Sequence, residues 1–148
     1  MKTLNNFING KSTPSSSDST LDLINPSTGQ VFAKAPNSNA ADVDAAMNAA
    51  AKAFEGWRDS TPSERQRAIN KIADAIESRS EELIALESEN TGKPIAVTRA
   101  EEIGPMLDQI RFFAGAARNL EGRSAAEYDK GHTSFIRREP IGVCAQVT

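Results

Sequence analysis

The carboxyl-terminal segment places the strongest constraint on how this chain can fold. It runs from Arg137 to Thr148 as RREPIGVCAQVT, with a charged start, a Pro-Ile-Gly bend and a short, mostly apolar end. Such an apolar run is typical of a strand buried inside a parallel sheet. A buried strand needs neighbours on both edges, because its backbone N–H and C=O groups must be paired. Since no residue after Thr148 supplies them, the sequence predicts the first strand of a larger domain, of which this chain is an incomplete portion.

Composition indicates a soluble globular protein that is long enough to form one hydrophobic core. Of the 148 residues, 39% are hydrophobic and 25% are charged, and the net charge is −3. A negative net charge disfavours binding to the phosphate backbone of nucleic acids. One cysteine excludes an internal disulfide, and the sequence has neither a signal peptide nor an apolar run of membrane-spanning length. We therefore expect a cytoplasmic protein that binds neither nucleic acid nor membrane.

Two β-hairpins are predicted near the amino terminus. Asn9-Gly10 is the dipeptide best suited to a tight turn with positive φ angles. A second turn, Asn25-Pro26-Ser27-Thr28-Gly29, lies between the apolar segments 21–24 and 31–34. The serine-rich stretch 13–20 between the hairpins has the composition of an exposed loop.

From Asn39 onward the apolar residues recur at helical spacing. Asn39 is the predicted N-cap of the first helix, whose apolar stripe we expect to face the core. Thr61-Pro62-Ser63-Glu64 is a capping box that begins a second helix. A third helix ends at Thr91-Gly92-Lys93-Pro94, where glycine closes one helix and proline opens the next. The stripe of the first helix consists of Val43, Met47, Ala50, Phe54 and Trp57.

The fourth predicted helix, from about Ile95 to Leu120, contains Gly104-Pro105 in its interior. A kink is expected there, because Pro105 cannot donate a hydrogen bond to the carbonyl of Glu101 and crowds it. Glu101 and Glu102 stand just before the kink and project in different directions, so they cannot form a facing acid/base pair. Two interpretations stay open: a solvated charged face, or a carboxylate that lines a pocket at the kink and attracts a cation.

Other residues that could carry chemistry have simpler explanations. Gly92-Lys93 is not a phosphate-binding loop, since a helix precedes it and Pro94 follows it. His132 is the only histidine, and no cysteine stands at ligand spacing from it, so no metal site is predicted. Cys144 lies in an apolar run without a basic neighbour to lower its pKa, which predicts packing rather than nucleophilic catalysis.

Five segments together resemble the aldehyde dehydrogenase superfamily, in both order and spacing. The pair RFFAGAARNLEG and GHTSFIRREPIGV is most similar to the γ-aminobutyraldehyde dehydrogenases, within the betaine-aldehyde and aminoaldehyde group. The resemblance covers nearly the whole chain. Its segments are FINGK at 7–11, NPSTGQV at 25–31, TGKP at 91–94, RFFAGAARNLEG at 111–122 and RREPIGVCAQVT at 137–148.

The resemblance implies an α/β fold that corresponds to the amino-terminal part of the family's structure. Residues 1–36 would form the amino-terminal β-hairpins, and residues 37–122 the helical part of the NAD-binding domain, with four helices. Residues 123–140 would form an oligomerisation-arm strand and bend, and residues 141–148 the truncated first strand of the Rossmann-like dinucleotide-binding sheet. The arm implies that the complete protein is a homo-oligomer, either a dimer or a tetramer.

The resemblance also implies a reaction, the NAD-dependent oxidation of an aldehyde such as 4-aminobutanal to the carboxylate. In the family a cysteine forms a thiohemiacetal, hydride passes to the nicotinamide, and a glutamate activates the water that hydrolyses the thioester. Both residues lie downstream of the matched region, and Cys144 matches a structural position. We therefore expect no catalytic residue in this chain and no activity from it alone.

Three residues match positions that bind ligands in the family. Val147 and Thr148 match residues whose backbone contacts the cofactor. Glu102 best matches an acidic residue that binds the ammonium group of aminoaldehyde substrates, a role that a buried carboxylate fills well. Pro105 stands where some relatives carry a second acid, which weakens the expected amine recognition.

Two other functions are compatible with parts of the sequence. A non-catalytic interaction module would pair through exposed strand edges in residues 133–148. A helical nucleic-acid binder would depend only on Arg137-Arg138.

Overall fold

A computed structural model of the chain describes residues 1–122 and 125–147. The chain forms small sheets and several helices, as the predicted α/β class requires. The strands are β1 (Lys2–Thr3), β2 (Asn6–Ile8), β3 (Lys11–Thr13), β4 (Thr20–Asn25), β5 (Gln30–Pro36), β6 (Ala126–Asp129) and β7 (His132–Ser134). The helices are α1 (Ala40–Trp57), α2 (Pro62–Ser78), α3 (Ser80–Thr91), α4 (Ile95–Val97) and α5 (Ile103–Ala116), with a π-helical turn at Thr98–Glu102 between the last two.

Both predicted hairpins are present at the amino terminus. Strands β2 and β3 pair antiparallel and are joined by a turn at Asn9 and Gly10, whose φ angles are 52° and 73°. Strands β4 and β5 pair antiparallel across the second turn. The structure adds a contact that was not predicted. Strand β1 pairs parallel to β5, so the sheet has three strands in the order β1-β5-β4.

The first two helices begin at the predicted caps. The side chain of Asn39 accepts hydrogen bonds from the backbone of Ala41 and Asp42, and Asp42 accepts one in return from the Asn39 N–H. Thr61 and Glu64 make the same reciprocal pair at the start of α2. Each box satisfies N–H groups that the first helical turn leaves without a partner.

The buried core lies where α2 packs along α5 and where α3 meets the sheet. Ala73 of α2 and Ala114 of α5 have no exposed surface, which lets the two helix backbones approach closely. The buried apolar residues in the described ranges are Ala33, Ala73, Ile84, Leu107 and Ala114.

The expectation that the apolar stripe of α1 faces the core is wrong in this chain. Val43, Met47 and Trp57 are 56%, 42% and 50% exposed, while Phe54 is only partly covered. The reason is that α1 packs mainly against the short strand β2, so most of its apolar face has no described element lying over it.

The carboxyl-terminal strands are shorter than predicted. Within residues 123–140, where the arm strand and bend are predicted, the described paired strands are only β6 and β7, and Phe135 and Ile136 beyond β7 are exposed. Residues 141–147 form no strand, because no described strand lies beside them to pair their backbone groups. The predicted packing of Cys144 is likewise wrong here, since that thiol is exposed.

Candidate functional site

The predicted kink takes the form of a π-helical turn just before Pro105. The N–H of Ile103 donates to the carbonyl of Thr98, five residues earlier, instead of four as in an α-helix. Pro105 has no N–H to donate to the carbonyl of Glu101, so one of the hydrogen bonds that would hold this segment in a regular α-helix cannot form. Glu102 takes up the change, with φ at −112°. Turns of this kind are frequent at functional sites.

The Thr91–Pro94 turn ends α3 and starts α4, as predicted, and it also directs a side chain. Gly92 has a φ of 76°, and its N–H donates to the carbonyl of Ser88. The Thr91 hydroxyl donates to the carbonyl of Glu87 and accepts from the Lys93 N–H at 3.3 Å. These bonds hold the backbone of Lys93 at the end of α3, beside the π-helical turn.

Lys93 bridges two carboxylates. Its Nζ lies 2.9 Å from Glu102 Oε2 and 3.2 Å from Glu87 Oε1. Its hydrogen bonds to Glu102 and Glu87 raise the pKa of the Lys93 ammonium above its usual value. Two carboxylates and one ammonium leave this group, which we call the Lys93 cluster, with one surplus negative charge. It therefore still attracts a cation.

Glu102 also lines a cavity of about 990 Å³ between the three-stranded sheet and the helices. The walls of the cavity are mainly apolar, and a few polar groups line it as well. That combination is typical of small-molecule sites. The apolar wall includes Leu4, Leu23, Phe32, Ile76, Leu83, Ile103 and Met106.

The structure places Glu101 and Glu102 in different surroundings, although the sequence left two interpretations open for them. Glu101 is exposed, as a solvated helix face requires, whereas Glu102 is partly covered and reaches both the cavity and Lys93. Sequence reasoning treated Lys93 only as part of a helix boundary and did not find this pairing. The turn chemistry of Thr91–Pro94 was the available signal, but Lys93 and Glu102 are brought together by the π-helical turn.

The other predicted ligand residues are not assembled into a site by this chain. Val147 is 99% exposed, and Thr148 lies outside the described residues.

His132 is exposed, with Nδ1 3.6 Å from Asp129 Oδ2. Within residues 1–122 and 125–147, no group of three or more His, Cys, Asp or Glu side chains is arranged to hold a metal ion. In the same ranges, no helix is long and apolar enough to cross a bilayer.

Comparison with known proteins shows what this arrangement is similar to. The sequence profile of the aldehyde dehydrogenase family matches residues 13–148. The chain is 35% identical to human 2-aminomuconic semialdehyde dehydrogenase over 145 residues, which cover 98% of this chain and 29% of that protein. The chain thus spans less than a third of the length of this curated relative.

Solved structures give the same result. The chain superposes with a TM-score of 0.87 on PnpE in complex with nicotinamide adenine dinucleotide, at 36% identity, covering 93% of this chain and 28% of that one. It also superposes with a TM-score of 0.87 on the NAD+ complex of a Bacillus cereus aldehyde dehydrogenase, at 33% identity, covering 95% of this chain and 29% of that one.

Proposed function

This chain belongs to the aldehyde dehydrogenase family, and we propose that it forms the amino-terminal part of an NAD-dependent enzyme that oxidises an aldehyde to a carboxylate. The family match across residues 13–148 carries this proposal. The NAD complexes of two similar structures support NAD as the cofactor. When bound, NAD+ would supply the acceptor for the hydride of the aldehyde carbon, and water would supply the second oxygen of the carboxylate.

The described part of this chain does not form a dinucleotide pocket by itself. Residues 141–147 are unpaired, and the side chain of Val147 is almost fully exposed. We propose that Val147 and Thr148 contact NAD through their backbone once this segment is paired within a sheet, and that residues 141–148 then form its first strand. The role of the chain in catalysis is accordingly to support and shape the site.

The function is tested by supplying the remaining portion of the family fold. We expect no NADH from this chain alone, and NADH formation from an aldehyde when the chain is joined to the remaining portion of a related enzyme. NADH formation by the isolated chain would contradict the proposed division of roles. If the joined protein is folded and binds NAD but does not oxidise any aldehyde, the proposal fails.

Glu102 is the residue through which this chain would contact the substrate. We propose that its carboxylate binds the ammonium group of an aminoaldehyde, for which 4-aminobutanal is the representative compound. The position of Glu102 on the cavity wall and the surplus negative charge of the Lys93 cluster support this assignment. An ammonium bound to a carboxylate forms a charge-assisted hydrogen bond that a neutral aldehyde cannot make.

A pair of variants in the joined protein tests this role. Glu102→Gln is expected to raise KM for 4-aminobutanal more than KM for butanal, because only the first compound carries an ammonium. Glu101→Gln removes the same charge from the adjacent, exposed position and serves as the control. An equal rise for both aldehydes in Glu102→Gln would remove Glu102 from the substrate site.

We also propose that the complete protein is a homo-oligomer, which the exposed apolar residues around the β6–β7 hairpin support. Tyr128 and Phe135 are both largely exposed there. Apolar side chains grouped on a surface favour association. Sedimentation of the joined protein should show a dimer or tetramer, and Phe135→Ser should weaken it; a monomer at all concentrations would refute the assignment.

A further inference from the structure

The geometry of the Lys93 cluster points to a role for Lys93 in selecting ligands. Its ammonium lies 2.9 Å from Glu102 Oε2, so it already uses a carboxylate oxygen with which the ammonium group of a ligand could pair. We propose that Lys93 is a specificity-determining residue that competes with ammonium-bearing ligands for Glu102, and that Glu87 is the alternative partner that receives Lys93 when a ligand binds. This inference rests on the proposed role of Glu102.

The positions of the three side chains allow this exchange. The backbone of Lys93 is held by the Thr91–Pro94 turn, but its side chain is long and remains 34% exposed. The two N–O distances, 2.9 and 3.2 Å, show that both carboxylates are already within reach of the same ammonium. Lys93 can therefore give up Glu102 and keep one ion pair, so its charge is never left without a partner.

The charges of the Lys93 cluster predict whether each variant raises or lowers the affinity for an ammonium ligand. Lys93→Met removes the competitor and leaves two carboxylates, so the affinity for an ammonium ligand should increase. Glu87→Gln removes the alternative partner, which leaves Lys93 on Glu102 alone and should decrease the affinity. Lys93→Arg keeps the competing charge and should stay close to the unaltered chain. Partly exposed ion pairs predict changes of about two- to fivefold in Kd for the first two variants.

Glu101→Gln separates local exchange from a general charge effect. It removes the same charge as Glu87→Gln and lies next to Glu102 in sequence, but Glu101 is an exposed residue of the helix. If only the total charge mattered, both variants would weaken binding equally. The exchange with Lys93 requires Glu87→Gln to have the larger effect.

The experiment titrates n-butylammonium into this chain and follows the side-chain carboxyl carbon of Glu102 by NMR. We expect Kd to fall in Lys93→Met, to rise in Glu87→Gln, and to change less in Glu101→Gln and Lys93→Arg. The amide spectrum of residues 98–103 reports whether each variant keeps the π-helical turn. If Lys93→Met alters that turn, the comparison of Glu87→Gln with Glu101→Gln still tests the exchange.

Three results would overturn the inference: no response of Glu102 to n-butylammonium, unchanged affinity in both Lys93→Met and Glu87→Gln, or equal effects of Glu87→Gln and Glu101→Gln. None of them affects the proposed oxidation itself. A joined protein that forms NADH from butanal would keep that function even if Glu102 ignored the ammonium probe.

Discussion

Replacing Gly92 with alanine tests a contact between two turns that are far apart in the sequence. Gly92 has a φ of 76°, in the left-handed region that alanine rarely adopts. A Cβ added there would lie 2.9 Å from Cγ of Pro26, in the turn between β4 and β5. Both partners belong to tight turns, so neither can move aside easily. Gly92 is therefore required for its conformation and for the space it leaves.

Two effects lower the stability of Gly92→Ala, and each can be estimated separately. The left-handed conformation costs a non-glycine residue about 1–2 kcal/mol. Forcing an extra carbon into an occupied space costs about 1–3 kcal/mol more. Gly92→Ala should thus lower the free energy of unfolding by about 2–5 kcal/mol, which is a large part of the stability of a small domain. Gly29→Ala is the matched control, because Gly29 has a φ of 71° but nothing within 4 Å of the added Cβ.

Urea unfolding followed by far-ultraviolet circular dichroism measures both variants. Gly29→Ala should lose only the conformational part, about 1–2 kcal/mol. Adding Pro26→Ala to Gly92→Ala should recover part of the loss, since it removes the ring carbon that the new methyl group meets. Equal losses in Gly92→Ala and Gly29→Ala, or no recovery in the double variant, would refute the contact.

Three further predictions follow from local contacts. Asn39→Ala should lower the free energy of unfolding by about 0.5–2 kcal/mol in urea unfolding, because it removes the side-chain cap of α1. Hydrogen bonds from the Ser15 hydroxyl and the Ser16 N–H lower the pKa of Asp42 from 3.8 to about 2. Folding therefore favours the charged form of Asp42, so its contribution to the free energy of unfolding is present above pH 3.8 and is lost as the pH falls towards 2. In Asp42→Asn, the urea concentration at the unfolding midpoint should depend less on pH over that range. Pro105→Ala supplies an N–H for the carbonyl of Glu101, so we expect the turn at Thr98–Glu102 to tighten and the amide of residue 105 to be protected from hydrogen exchange; free exchange of that amide would contradict the account.

The parts of the fold that could be predicted depend on residues adjacent in sequence. Asn9-Gly10 predicts its own turn, because those residues tolerate positive φ wherever the strands lead. The two capping boxes are also local, since donor and acceptor are three residues apart. Family resemblance added the α/β class. It also singled out Glu102, whose substrate-binding role stays a prediction, but it did not give the surroundings of that residue.

The candidate site was only partly predictable because it joins separate elements. Pro105 shows which backbone hydrogen bond is lost, but not that the chain responds with a π-helical turn that rotates Glu102 towards Lys93. The pairing of β1 with β5 is hidden for the same reason, since a two-residue strand has no period of its own. Such contacts depend on the relative positions of elements, which local propensity does not contain.

Helices α1 and α2 show why periodicity alone does not locate a core. Both carry apolar residues at helical spacing, yet Ala73 of α2 is fully buried while Val43 of α1 is mostly exposed. The difference lies in their neighbours: α5 runs along α2, whereas α1 meets mainly the short strand β2. Burial of apolar surface contributes about 25 cal/mol per Å² only where another element removes that surface from water. The spacing of apolar residues therefore identifies a face that favours burial, and the packing of the other elements decides whether that face becomes part of the core.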